Sequence, residues 1–226
     1  MFYFNNISSD EMGVVVSRQP SISKGEKQIE KIKIPGRNGF LVIDNGVYES
    51  FIIAIECHLN KNVANIDEIL AWLDGVGKLS LDGVRQWDAV VANSISLEKV
   101  VGNFRSFLIQ FDCQPISEEI TERSSIITTS PTTFNISEAT AKMMPLVEVA
   151  GIGNVAITVN NRTFNLFDLN GIYFLDSKLK VITNSLGQNI SDKMLYDFPF
   201  LMPGNNVVSW IGTITNIKFK YHKSFL

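Results

Sequence analysis

In the segment Arg105–Cys113, Phe107, Ile109, Phe111 and Cys113 recur at every second position, with Gln110 and Asp112 among the residues between them. A strand turns successive side chains to opposite faces, so this spacing builds a sheet with one apolar face. The same residues would scatter around a helix. The segment Val47–Cys57 begins mixed and settles into the same period. Shorter runs read as further strands at Gln28–Ile34, Phe40–Ile43, Val147–Val149, Val155–Val159, Thr163–Phe167, Ile172–Leu175, Leu179–Ile182, Val207–Trp210 and Ile214–Tyr221. Asn-Gly pairs lie between apolar runs at Asn38-Gly39, Asn45-Gly46 and Asn170-Gly171. Asn tolerates positive φ and Gly adopts it freely, so each pair is expected to make a tight turn, and Asn160-Asn161 to turn a further hairpin. Short strands joined by regular turns predict a mainly β chain.

One segment departs from this period. Ile66, Ile69, Leu70 and Leu73 fall at the spacing of a helical stripe. Asn65 precedes them as an N-cap, and Glu68 stands where a capping box places its acidic partner. Gly75 or Gly77 supplies the stop. The pattern predicts a helix of about three turns, near residues 65–75. From Ser117 to Thr140 the chain is dense in Ser and Thr, and strand patterns resume at Val147. We therefore expect a first β domain over 1–116 carrying the helix, a Ser/Thr-rich linker over 117–130, and a second β domain over 131–226. No internal repeat stands out.

Composition removes several classes of function. Of the 226 residues 45% are hydrophobic and 19% charged, against about 25% charged in an average soluble protein. Disorder requires the opposite balance. The net charge of −3 does not suit a binder that works through phosphate contacts. With 2 His and 2 Cys, a metal or Cys–His site would have to use nearly all of them. Cys57 and Cys113 lie in strand-like segments and read as two small buried hydrophobes. Met1–Asn6 has neither the basic start nor the apolar run of a signal peptide. The longest apolar stretch, Phe51–Ile55, is far short of the roughly 20 residues that span a bilayer. The chain is expected to be made in the cytoplasm and to stay soluble there.

Each candidate for chemistry has a simpler reading. Gly151-Ile152-Gly153-Asn154 begins like a dinucleotide fingerprint, but it lacks the third glycine and precedes a strand, so it reads as a hairpin turn. His58 and Cys57 are neighbours on a strand and point to opposite faces. His222 stands near the end of the chain, outside any ligand-spaced motif. Glycosidase chemistry would need paired carboxylates, for which Asp82 with Asp88 or Asp176 with Asp192 are candidates. Asp82-Gly83 and Asp176-Ser177 read as turns. Trp72 lies off the helical stripe and is expected to be partly exposed, whereas Trp87 and Trp210 read as packing residues. No catalytic, cofactor or metal site is expected.

Taken in order along the chain, the motifs resemble the distal tail proteins (Dit) of long-tailed bacteriophages and prophages. The matching segments in the first domain are Phe4-Asn5-Asn6, Ile34–Gly39, Tyr48-Glu49, Ile69–Leu73, Leu81-Asp82 and Phe111–Pro115. In the second they are Pro145–Gly151, Phe198-Pro199 and Pro203–Trp210. The resemblance implies an N-terminal β domain with one inserted helix, followed by a C-terminal galectin-like β-sandwich. It implies a hexameric ring of first domains, located in the virion tail tip. That ring would join the tail tube protein to tail-tip or baseplate proteins and let DNA pass through its lumen. Neither an enzyme activity nor a cofactor, a membrane or specific nucleic-acid binding is implied. Ring contacts are expected at Pro35, Gly36, Arg37, Asn38 and Gly39 and along the strand edges near Gln28–Lys33. The second domain, Pro131–Leu226, has no room for the receptor-binding arm or extra carbohydrate-binding modules of some family members. A carbohydrate-binding module that recognises the host wall is the alternative reading, and a β-sandwich hydrolase a third.

Overall fold

The period-two segments become strands of a mainly β fold. The computed structural model describes residues 1–60, 65–95 and 106–226, and the chain divides into two units, Met1–Ser117 with Leu226 and Glu118–Phe225.

In the first unit β1 (Tyr3–Phe4), β2 (Ile7–Ser8), β3 (Val14–Val16), β4 (Lys27–Ile32), β5 (Leu41–Tyr48) and β6 (Phe51–Leu59) precede one helix, α1 (Ile66–Trp72). Strands β7 (Val76–Ser80), β8 (Arg85–Val91) and β9 (Phe107–Cys113) follow it. The main sheet runs β2-β1-β7-β8-β9-β6-β3, and among the described residues β4 and β5 form a separate two-stranded sheet. The alternating segment forms β9, although Arg105 lies outside the described residues. Its register on β6 sets Phe111 opposite Ile53 and Ile109 opposite Ile55, all four fully buried. The expected strand Val47–Cys57 is broken at Glu49-Ser50, so that Val47 and Tyr48 end β5 while Phe51 opens β6. Glu49 N–H donates to the Glu26 carbonyl there, which takes the chain from the hairpin into the main sheet.

The helix is capped as expected. The Asn65 side chain accepts from Asp67 N–H at 3.2 Å and donates to Glu68 Oε1 at 2.8 Å. Its 7 residues make two turns rather than three, and Gly75, at φ +81°, redirects the chain into β7. Trp72 corrects its expectation. It is 8% exposed because Asn5 and Asn6, both at positive φ, fold β1 and β2 back and bring the N-terminal residues over the helix. The Phe2 ring stacks on Trp72 at 5.5 Å, and Phe4 meets it edge-on at 6.4 Å. Cys57 and Cys113 are free and buried, and the register puts them at opposite ends of the β6–β9 pair. Burial pushes both thiols up to about 12.

Strand β10 (Ser117–Glu119) begins at the last residue of the first unit, and the second unit contains β11 (Arg123–Ile127), β12 (Thr132–Ile136), β13 (Leu146–Val159), β14 (Arg162–Asp176), β15 (Val181–Asn184), β16 (Met194–Leu195), β17 (Gly204–Tyr221) and β18 (Ser224–Phe225). Its main strand order is β11-β17-β13-β14-β15, with β12 also on β17 and β16 on β14. Residues 117–130, read above as a linker, carry β10 and β11. The β-branched Ile126 and Ile127 favour the strand, and Ser124–Ile127 pair with Ile217–Lys220.

Several expected short strands merge into β13, β14 and β17, of 14, 15 and 18 residues. The segments between them, read as turns at Gly151–Asn154 and Asn170-Gly171, lie inside strands. The ladder shifts register between Gly153 and Val155, and Gly151 pairs with Gly171 on one side and with Ile214 on the other. Positive φ at Gly153, Gly171 and Gly212 bends all three strands at this level. The halves of each long strand then close on one core as a β-sandwich, with Val147, Val149, Ile157, Phe164, Ile217 and Phe219 inside. Asn160-Asn161 turns the β13–β14 hairpin as expected, at φ 50° and 64°.

Candidate assembly interface

Strands β4 and β5 make a hairpin that contributes to neither core. Its register pairs Ile29 with Asp44, Glu30 with Ile43, Lys31 with Val42 and Ile32 with Leu41. Paired residues share a face, so Ile32, Leu41 and Ile43 form an aliphatic group on one side, and Ile29 and Val42 lie on the other. No residue of either strand is buried. Phe40 is 50% exposed, Val42 48%, Ile29 44% and Leu41 43%. A two-stranded hairpin is marginal in water by itself. One that also shows apolar side chains on both faces, with outer edges that pair with no other strand among the described residues, has the character of an interaction surface.

The expected contact residues Pro35, Gly36, Arg37, Asn38 and Gly39 all lie exposed in the loop over residues 33–40 that joins the two strands. The loop is longer than a two-residue Asn-Gly turn, and Arg37 N–H closes it onto the Ile34 carbonyl at 3.2 Å. Gly36 and Gly39 both take positive φ. Asn45-Gly46 is not a turn either. It sits inside β5, opposite the register shift between Lys27 and Ile29. The sequence reading missed the apolar side chains of β5. Their signal was the uninterrupted run Phe40-Leu41-Val42-Ile43 between two Asn-Gly pairs.

Charge divides the hairpin. At its base Lys27 pairs with Asp44, and Gly46 N–H donates to the same carboxylate at 2.8 Å. The Lys27 hydrogen bond and then the Gly46 amide hold the Asp44 carboxyl below its ordinary range, and the bond to Asp44 raises Lys27. Lys24 and Lys27 also lie 5.2 and 5.7 Å from the Tyr48 ring centre. Toward the tip, residues 31–43 hold Lys31, Lys33 and Arg37 and no carboxylate.

The other candidates take structural places. Asp82 accepts from the backbone of Val84 and Arg85, and Asp176 from Lys178 and Leu179, as turn residues do. Asp88 pairs with Lys78 at 2.6 Å, and Asp192 lies in a short 3-10 helix. His58 meets Ser17 Oγ at 3.0 Å, and His222 Nδ1 meets the Glu119 carbonyl at 2.8 Å. Trp87 is buried, and Trp210 packs half-buried against the second core. Among the described residues no group of three His, Cys, Asp or Glu is placed to hold a metal, and no helix is long and apolar enough to cross a membrane.

No protein-family model and no curated protein matches the chain. Among solved structures it is similar to the Dit protein of phage SPP1, described as a paradigm of the hub adsorption apparatus in phages that infect Gram-positive bacteria. The TM-score is 0.80 at 14% identity, over 100% of this chain and 98% of that one. At this identity the likeness establishes a Dit-like fold from end to end.

Proposed function

We propose that the chain is a structural hub of a phage tail tip. Its copies form a ring, hexameric in the arrangement its family resemblance implies. The ring joins the tail tube to tail-tip or baseplate proteins and lets DNA pass through its lumen. The observation that carries this reading is the end-to-end likeness in fold to a phage hub protein. The hairpin supports the ring itself, because contact between copies would cover its apolar faces and occupy its open edges. A net charge of −3 is compatible with a lumen, since a slightly acidic chain does not hold passing DNA by its phosphates. The work of such a protein is geometric, and the burial of surface between copies drives it.

Negative-stain images of the purified chain test the reading. Rings with a central hole are expected. A uniform monomer at high concentration, with no larger species by light scattering, contradicts it.

A further inference from the structure

We infer that the fold singles out Asn38, among three Asn-Gly pairs, for spontaneous loss of its side-chain amide. The Gly39 backbone nitrogen is the attacking group, and an acid is left in the β4–β5 loop. The inference concerns the single folded chain and does not rest on the ring reading. The three pairs are Asn38-Gly39, Asn45-Gly46 and Asn170-Gly171. The reaction favours glycine after the asparagine, because a residue without Cβ leaves its nitrogen open and free to turn. That nitrogen gives up its proton to water and bonds to the asparagine Cγ. The side-chain nitrogen leaves as ammonia, taking a proton in exchange, and a five-membered imide remains. Water then opens the imide at either carbonyl. One opening gives aspartate, and the other gives isoaspartate, in which the backbone runs through the side-chain carbon. One water is consumed and one ammonia released, with no oxidant or reductant.

Two features leave the pairs alike. All six residues are exposed to water, and each glycine takes positive φ, at +86° for Gly39, +68° for Gly46 and +93° for Gly171. Hydrogen bonding separates them. Gly46 N–H donates to Asp44 Oδ1 at 2.8 Å, and an N–H bound to a carboxylate resists deprotonation. Asn170 and Gly171 stand opposite Ile152 and Gly151 in the β13–β14 ladder, which holds the peptide extended and keeps its nitrogen from turning onto the side chain. Among the described residues neither Asn38 nor Gly39 makes a hydrogen bond. The nearest restraint is the bond from Arg37 N–H to the Ile34 carbonyl, which precedes the pair and leaves its joining peptide free to rotate. The local charge acts in the same direction. Residues 31–43 hold Lys31, Lys33 and Arg37 and no carboxylate, so the anionic form of the attacking nitrogen is favoured there. The product places the first carboxylate in that stretch.

Incubation of the folded chain at mildly alkaline pH tests the site, with peptide mapping by mass spectrometry and fragment ions that separate Asn38 from Asn45. Asn38 is expected to convert several-fold faster than Asn45 or Asn170, with aspartate and isoaspartate both formed. In urea the fold no longer distinguishes the pairs, and the three rates are expected to converge. Ion exchange of the intact folded chain should show acidic species accumulating, and Asn38→Gln should remove most of them. An Asn38 that stays intact, or that converts no faster than the other two, overturns the inference. A preference for Asn38 that is undiminished in urea overturns it as well, because the selectivity would then not come from the fold. Either result leaves the ring reading standing.

Discussion

Trp72 donates its indole Nε1–H to the carbonyl oxygen of Phe4 at 2.9 Å, a bond that ties helix α1 to a strand 68 residues away in sequence. The same indole is stacked by Phe2, so one side chain closes the first core over the N-terminal residues. Trp72→Ala is expected to destabilise the first unit by about 3–5 kcal/mol, as large buried aromatics do. Trp72→Phe keeps the packing, strands the Phe4 carbonyl, and is expected to cost about 1–3 kcal/mol. Urea unfolding measures both. Equal losses for the two variants would mean that the hydrogen bond, rather than the packing, dominates.

Gly212 marks the bend of the longest strand. Its φ is +108°, and an added Cβ would lie 2.7 Å from the Asn154 carbonyl oxygen in the neighbouring strand. Gly212→Ala therefore meets both backbone strain and a backbone clash, neither of which a rotamer change relieves. A loss of about 1–3 kcal/mol in the second unit is expected. It is read as a lower melting temperature of that unit, with the first unit unchanged. An unaltered melt would mean that the bend does not need glycine.

The two thiols give a pH dependence with a definite sign. Cys57 and Cys113 have their folded values raised by burial to about 12, whereas an unfolded thiol titrates near 8.5. The neutral form is favoured in the fold, so the contribution is complete below about pH 8.5. It is lost as pH rises from there toward 12, by up to about 1.4 kcal/mol per pH unit for each thiol. Midpoints of denaturant unfolding between pH 8 and 10.5 should fall accordingly. Both thiols should also resist a thiol-specific reagent at pH 8 until denaturant is added. Rapid native labelling would show that the sites open.

The sequence announced more of the local structure than of the assembly. The spacing of Phe107 to Cys113 and the Asn65–Glu68 cap were legible because each depends on residues close in the chain. Asn170-Gly171 and Gly151–Asn154 were misread because positive φ serves a bulge inside a long strand as well as a turn between two short ones. Which of these occurs is decided by how far the partner strand continues. Trp72 was misread for a related reason: its cover comes from Phe2 and Phe4, which the helical stripe does not include. The hairpin loop at Pro35–Gly39 could be placed from its turn residues and flanking apolar runs. That Leu41, Val42 and Ile43 join neither core among the described residues could not be, because a strand that alternates poorly looks the same whether or not its own core covers it.

The most direct test of the account is the mass of the assembly with and without the hairpin tip. Residues 33–40 would be replaced by an Asn-Gly turn and the particle mass measured by light scattering. Because residues 27–48 belong to neither core, the shortened chain should keep its circular dichroism and its melting behaviour. It is expected to fall from a ring of several copies to smaller species. A ring of unchanged mass would contradict the claim that the hairpin holds the copies together.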